Sequence, residues 1–190
     1  MNAGSPLQTV VVPDLTRRLA RLRVPLGFLC ALVVLWLAQP TGPSLLRGSV
    51  IALAGEGLRI WAAGHLMKSR EVTSSGPYRW IGHPLYAGSS IMGVGLAIAA
   101  NNLVVAVVIA AYLLTTITAA IRSEEAFLRE KFGDRYDRSR RGQSARPFSL
   151  QLAIANHEHR AVAGLVAAVL LLVLKATYNG VFWRMGAGHQ

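Results

Sequence analysis

A short stretch between two apolar segments, residues 76–88, carries an unusual density of polar and reactive side chains. Its sequence is Gly-Pro-Tyr-Arg-Trp-Ile-Gly-His-Pro-Leu-Tyr-Ala-Gly. Pro84 stands where an apolar run begins, as proline does in the first turn of a helix, so His83 is predicted beside free backbone N–H groups and the positive end of the helix dipole. An anion or a polar ligand could bind there. The alternative is a turn followed by anchor residues, His83 and Tyr86, at a membrane surface.

A second polar stretch, residues 122–136, follows the fourth apolar segment. Steps of three and four residues define one helical stripe, which consists of Glu125, Leu128, Phe132 and Tyr136. Glu125 is therefore predicted on the face that packs inward. A carboxylate on a buried face needs a partner or a function. Either Glu125 contributes to a site, or it pairs with a loop arginine such as Arg79.

The second apolar segment contains charged residues, which cost several kcal/mol inside a membrane unless they are paired or face a polar cavity. Glu56 and Arg59 are three residues apart, so they share a helix face and can pair with each other. Two interpretations follow. The two residues form a structural ion pair between helices, or Arg59 holds the anionic group of a substrate.

These residues belong to a chain with the composition of a membrane protein. Hydrophobic residues make up 53% of the 190, charged residues 15%, and the mean hydropathy is +0.40, which excludes an ordinary soluble domain. Five candidate membrane helices are predicted at residues 24–38, 49–66, 84–100, 103–121 and 161–182. The predicted fold class is all-α: one polytopic membrane domain over residues 1–190, with a flexible tail at 1–16 and a cytoplasmic helix and loop segment at 122–160.

The basic residues indicate the orientation of this domain. The net charge is +11, and sixteen of the 20 Lys and Arg residues fall on one side of a five-helix path. The opposite loops, near 40–48 and 101–102, carry only Arg47. By the positive-inside rule the N-terminus and the site are predicted to be cytoplasmic, with basic loops facing anionic lipid headgroups. Aromatic residues do not alternate with a basic patch, so no nucleic-acid partner is predicted.

Small and polar residues elsewhere are assigned to packing and interfaces. The third segment has a small-residue face suited to close helix packing, made of Gly88, Ser89, Ser90, Gly93 and Gly95. The run His157-Glu158-His159 resembles a metal site, but neighbouring helical residues point in different directions and no second cluster completes it, so no metal is predicted. His157 and His159 are predicted to be interfacial. The candidates for a cavity rim are Asn156, Glu158 and Arg160, and Lys175 is expected to snorkel or to face another helix.

Two motifs in this order and separation resemble the isoprenylcysteine carboxyl methyltransferase family, whose broader relatives are the membrane phospholipid N-methyltransferases. The first is Gly76-x-Tyr78-x-Trp80-x-x-His83-Pro84-x-Tyr86-x-Gly88, and the second is Glu124-Glu125-x-x-Leu128-x-x-x-Phe132-Gly133-x-x-Tyr136. The resemblance covers about residues 55–136. It implies an enzyme that depends on S-adenosylmethionine and binds this cofactor in a pocket at the cytoplasmic membrane face.

Carried over by position, the resemblance implies these cofactor-binding residues: Tyr78, His83, Pro84, Tyr86, Glu124, Glu125 and Tyr136. The candidate catalytic residues are Glu125 and His83, which would remove a proton from an amine acceptor, and Arg59, which would orient a carboxylate acceptor. Two positions depart from the family pattern. Gly82 stands where arginine usually precedes His-Pro, and Ser139 stands where a second tyrosine is usual.

The predicted function is methyl transfer from S-adenosylmethionine, most directly to the carboxylate of an isoprenylcysteine-like or other lipophilic molecule. Methylation of a phospholipid or amine nitrogen is the alternative. The position of Arg59 favours the carboxylate. The predicted partners are a lipophilic small molecule or prenylated substrate and membrane lipids. A non-catalytic membrane protein and a membrane reductase with a nicotinamide cofactor remain as rival classes, which cofactor binding would distinguish.

Overall fold

The computed structural model describes residues 14–67, 73, 75–132 and 147–180, and these residues form helices and connecting turns. The six α-helices in this part of the chain are α1 (Asp14–Leu37), α2 (Gly42–Ala63), α3 (Pro84–Ala100), α4 (Leu103–Phe132), α5 (Leu150–Ala155) and α6 (Glu158–Tyr178). A short 3-10 helix, Gly76–Arg79, precedes α3. The most extensive contact is between α2 and α3, while α4 packs on α1 and α3, and α6 packs on α2. The all-α prediction is confirmed.

Several helix boundaries differ from those predicted. α2 begins at Gly42 rather than at residue 49, because Thr41 and Ser44 form a capping box and Pro43 occupies the first turn. α4 does not end at residue 121 but continues to Phe132, since no glycine or proline interrupts it. α1 begins at Asp14, inside the predicted tail. α6 begins at Glu158, earlier than predicted, and residue 182 lies outside the described part.

Two helices of the described residues are long and apolar enough to cross a membrane. They are Leu103–Glu125, with a mean hydropathy of 2.4, and Glu158–Tyr178, with 2.1. At about 1.5 Å per residue the first reaches about 35 Å, against about 30 Å for a hydrocarbon core. Pro25–Leu37 and Pro84–Ala100 are shorter apolar helices. An all-helical membrane protein is supported, and five spans with a cytoplasmic site stay a prediction.

The α2–α3 contact brings the two backbones together. The glycines of this contact are Gly48 and Gly55 on α2, and Gly88 and Gly95 on α3. A Cβ atom placed on Gly55 would lie 2.5 Å from the Met92 backbone nitrogen, and one on Gly95 would lie 2.6 Å from the Gly48 carbonyl oxygen. The predicted small-residue face therefore packs against α2. Gly93 differs, because it lies against Leu113 of α4.

Polar side chains from the C-terminal third hold the ends of earlier helices. The Asn156 side-chain amide donates to the carbonyls of Ala63 and Leu66, both at 2.9 Å, where α2 ends. Lys175 on α6 donates to the carbonyls of Leu35 and Trp36, where α1 ends. A cation at a helix C-terminus is favourable because the last carbonyls carry partial negative charge. Lys175 thus faces another helix, which is the second of the two positions predicted for it, and does not snorkel.

Candidate functional site

His83 and Pro84 form the start of α3, as the sequence predicts. His83 is the residue before the helix, Pro84 is its first residue, and the backbone N–H groups of Tyr86 and Ala87 donate to the His83 carbonyl at 3.1 Å. The His83 side chain makes no capping hydrogen bond. Pro84 is buried, so its contribution is to fix the backbone. The imidazole of His83 is left to contact another element.

That element is the end of α4. His83 Nε2 lies 3.4 Å from Glu125 Oε1, and the Tyr86 hydroxyl donates to Glu124 Oε2 at 3.0 Å. The rings of His83 and Tyr86 are 5.7 Å apart. Two consecutive glutamates point in different directions on a helix, but each meets its own partner because His83 and Tyr86 are about one turn apart at the start of α3. The two sequence motifs therefore join into one cluster.

The cluster is accessible to a ligand. The His83 side chain is 22% exposed and that of Glu125 is 31% exposed. Glu125 contacts His83, whereas one sequence interpretation paired it with Arg79. The Arg79 guanidinium lies 5.8 Å from the centre of the Trp80 ring. Glu125 also stands at the end of the candidate membrane span Leu103–Glu125. We expect chemistry here to take place at a membrane surface.

Tyr78 adds a phenol to this region. Burial raises its pKa well above its ordinary value of about 10, and the nearby Glu124, Tyr86 and Glu158 raise the pKa further. Tyr78 is therefore a neutral hydrogen-bond donor under ordinary conditions. Carboxylates from two helices, Glu124 on α4 and Glu158 on α6, thus raise the pKa of one phenol.

The raised pKa of Tyr78 has a measurable consequence. In the unfolded chain Tyr78 loses its proton near pH 10, while in the folded chain it keeps the proton to higher pH. Titration of Tyr78 therefore leaves the free energy of unfolding unchanged below about pH 10. Above that pH it should lower the free energy of unfolding by at most about 1.4 kcal/mol per pH unit. In the Tyr78→Phe variant we expect this decrease to be absent, because phenylalanine has no proton to lose. Chemical denaturation of both proteins between pH 8 and 11 measures it, and equal slopes would contradict the prediction.

Arg59 belongs to a separate, buried cluster. Its Nε atom lies 2.7 Å from Glu158 Oε1 and 3.4 Å from Glu56 Oε2. Its Nη1 atom donates to the Ser89 hydroxyl, which in turn donates to a backbone carbonyl within α3. Glu56 and Glu158 are 3% and 6% exposed. One guanidinium thus stands between two carboxylates, an arrangement that favours the ion-pair interpretation of Arg59.

The remaining predicted residues lie apart from the α3–α4 cluster or outside the described residues. Tyr136 and Ser139 lie outside the described residues. His157 and His159 are exposed, with their rings 5.9 Å apart. Glu158, predicted only as a rim residue, is buried against Arg59, and Ser89, predicted only for packing, is a hydrogen-bond partner of Arg59. Sequence spacing gives no signal for either contact because both depend on how α6 and α3 pack on α2.

The chemistry of these side chains suits a cationic ligand with hydroxyl groups. Glu124 and Glu125 offer carboxylate acceptors, and Tyr78 offers a phenolic donor. S-adenosylmethionine carries a positive sulfonium, an ammonium group and ribose hydroxyls, so the residues present fit it. The side chains that would hold it are those of Tyr78, His83, Tyr86, Glu124 and Glu125.

The comparisons with known proteins point to methyltransferases. Residues 49–135 match the family model of the phospholipid methyltransferases, a region that contains α3, most of α2 and all of α4. The chain is 30% identical over 116 residues to a Protein-S-isoprenylcysteine O-methyltransferase of Schizosaccharomyces pombe, which is 61% of this chain and 44% of that protein. No solved structure gives a significant match.

A second relative has a different name. The chain is 33% identical over 85 residues to the Nickel-cobalt-cadmium resistance protein NccN of Alcaligenes xylosoxydans xylosoxydans, which is 44% of this chain and 40% of that protein. The chain spans less than half the length of each of these curated relatives. The family match contains the first motif and the second motif as far as residue 135. Residues 49–135 are thus similar to the phospholipid methyltransferases, and the match to the yeast protein supports a relation to the isoprenylcysteine carboxyl methyltransferases.

Proposed function

We propose that this protein transfers a methyl group from S-adenosylmethionine to a lipophilic acceptor, with the carboxylate of an isoprenylcysteine-like molecule as the first candidate. A membrane methyltransferase is the function that the family match and the yeast relative support. The observation that carries the proposal is the pair of contacts between α3 and α4, His83 with Glu125 and Tyr86 with Glu124. These contacts join two motifs that are far apart in sequence into one acidic, partly exposed cluster.

The chain's own residues would bind and orient the reactants. When bound, S-adenosylmethionine supplies a methyl group on a positively charged sulfur, which is already activated for transfer. Glu124 and Glu125 would balance that positive charge, and Glu124 also fixes the Tyr86 hydroxyl by accepting its hydrogen bond. Tyr78, neutral and partly buried, would donate to an acceptor atom of the ligand. Positioning and exclusion of water are the main requirements for such a transfer.

A carboxylate acceptor needs no base, because it already carries its charge. It needs a cation to orient it, and Arg59 is the predicted residue. The acceptor's oxygen would form its bond to the methyl carbon as the sulfur–carbon bond breaks, and the electron pair of that bond would stay on sulfur. The yeast relative is named for this kind of O-methylation.

An amine acceptor is the second candidate, and one observation favours it. Arg59 already stands between Glu56 and Glu158, so it presents little net positive charge to a substrate carboxylate. An amine must lose a proton, and the His83–Glu125 pair could accept it. The phospholipid methyltransferase family match covers this pair as well.

Arg59→Lys separates these acceptors. The substitution keeps a positive charge between the two glutamates, so we expect folded protein. It removes the guanidinium N–H groups beyond those that contact Glu56, Glu158 and Ser89, and a substrate carboxylate would bind to these groups. For a farnesylcysteine carboxylate acceptor we expect the apparent KM to rise about tenfold with kcat nearly unchanged, because only binding is weakened. Kinetics with this acceptor and with a phosphatidylethanolamine acceptor measure the difference. An unchanged KM for the carboxylate would remove Arg59 from its recognition.

The proposed function is tested first by calorimetry of the full chain in detergent. We expect S-adenosylmethionine and S-adenosylhomocysteine to bind, and we expect His83→Ala and Glu125→Gln to weaken binding. A matched control is His159→Ala, since His159 is exposed and outside the α3–α4 cluster. If the intact protein binds neither molecule, a methyltransferase is excluded, and nicotinamide cofactors become the next ligands to test.

A further inference from the structure

A cavity lies at the opposite end of α3 from the candidate site. It is a groove of about 720 Å³ between the start of α2, the second half of α3 and the first half of α4. At about 1.5 Å per residue, Asn101 at this end is about 27 Å from His83 along the helix. The groove therefore plays no direct part in the chemistry proposed above. Its volume is within the range of about 300–1,000 Å³ that is usual for ligand pockets.

The groove exists because small residues face each other across α3 and α4. Gly93 and Ala97 on α3, and Ala106 and Ala110 on α4, contribute little side-chain volume. The turn at Asn101, whose φ of 49° is left-handed, brings α4 back along α3. Larger apolar side chains, including Val94 and Leu103, form the edges and are exposed. The walls therefore suit a long alkyl chain.

The end of the groove is polar and carries one positive charge. Thr41, Arg47 and Asn102 are among the residues that line it. Arg47 is exposed, and within the described ranges no hydrogen bond or ion pair engages its guanidinium. An arginine at the mouth of an apolar groove has the geometry to bind a phosphate group in two places.

The parts of the described chain that surround Arg47 contain no acidic residue. The nine acidic residues are Asp14, Glu56, Glu71, Glu124, Glu125, Glu130, Asp134, Asp137 and Glu158. None belongs to the segments that meet at this end, which are residues 38–50, 94–110 and 172–178. A second copy of the chain, placed beside this groove in the same orientation, would bring the same segments to it. They contain another Arg47 and no carboxylate. These segments therefore offer Arg47 no carboxylate, and an anionic group of another molecule would complement its charge.

We propose that this groove binds an anionic phospholipid, with its phosphate on Arg47 and one acyl chain between α3 and α4. The site is on the side of the protein away from the candidate methyltransferase cluster, and its occupant is a bound lipid rather than the methyl acceptor. This proposal does not depend on the proposed function. Lipid binding here would hold even for a chain that transfers no methyl group.

The test is native mass spectrometry of the detergent-purified full chain with phosphatidylglycerol or phosphatidylcholine of identical acyl chains. We expect about fivefold preferential retention of phosphatidylglycerol, and we expect Arg47→Gln to reduce the preference to near one. Arg160→Gln, at the other end of the molecule, should keep it. Equal preference in the wild type and in Arg47→Gln would overturn the proposal.

A second pair of variants tests the groove itself. Ala110→Trp places an indole in the groove and should reduce retention of both lipids at least several-fold. Val107→Trp, one turn away on the same helix at an exposed position outside the groove, should not. Normal circular dichroism of both variants separates loss of binding from loss of folding. If Ala110→Trp instead converts a dimer to a monomer and leaves lipid retention unchanged, a second copy covers the groove and the proposal fails.

Discussion

Glu125→Gln is expected to lower methyl transfer about 100-fold or more while leaving the protein folded. Glu125 is half-buried, and its Oε1 atom lies 3.4 Å from His83 Nε2. The amide has nearly the shape of the carboxylate, so packing of α3 on α4 is retained. The negative charge is lost, and with it the orientation of His83, the balance of a positive ligand and the capacity of the pair to hold a proton. Misplacement of bound reactants by about 1 Å can cost about 10²-fold in rate, so loss of this positioning accounts for the effect even with a carboxylate acceptor, which needs no base.

The matched comparison for this variant is its neighbour. Glu124→Gln keeps an oxygen that can accept the Tyr86 hydrogen bond, so we expect a smaller decrease than for Glu125→Gln. Transfer of a labelled methyl group to a farnesylcysteine acceptor measures both, and calorimetry separates cofactor affinity from turnover. Thermal unfolding checks that the two variants are equally stable. Full turnover in Glu125→Gln would show that Glu125 takes no part in the reaction.

The cluster was predictable from sequence as a set of residues but not as a set of contacts. His83 stood out because Pro84 marks a helix start, and Glu125 because it lies on an inward stripe. Which carboxylate meets which partner depends on the turn at Asn101, which returns α4 along α3. Local pattern does not specify that register. Glu125 accordingly contacts His83, where the spacing alone left a pairing with Arg79 open.

The Arg59 cluster shows the same limit more strongly. The spacing of Glu56 and Arg59 predicted their pairing, and their atoms lie 3.4 Å apart. The shorter contact of Arg59 is to Glu158, nearly one hundred residues later, at 2.7 Å. This contact requires α6 to pack on α2. The spacing of residues within one helix does not predict how two helices pack on each other. The start of α2 was missed for a different reason, because its cap residues precede the apolar pattern.

Gly95→Ala is expected to destabilise the protein by about 3 kcal/mol. A Cβ atom there would lie 2.6 Å from the Gly48 carbonyl oxygen and 2.8 Å from the Ala52 Cα atom. Both are backbone atoms, so no side-chain rotation relieves the clash, and α2 and α3 must separate. Overpacking of a rigid contact typically costs about 1–3 kcal/mol, and a backbone contact belongs at the upper end.

The matched control is Gly57→Ala, because a Cβ atom at Gly57 on α2 meets nothing within 4 Å. The same substitution should there stabilise the helix by about 0.5–1 kcal/mol, since glycine is a poor helix residue. Thermal unfolding in one detergent compares the two variants with the parent. Separation of α2 from α3 would also displace His83 and Ser89, so Gly95→Ala should weaken cofactor binding while Gly57→Ala should not. Equal stability of the two variants would mean that the α2–α3 backbone contact is looser than the structure describes.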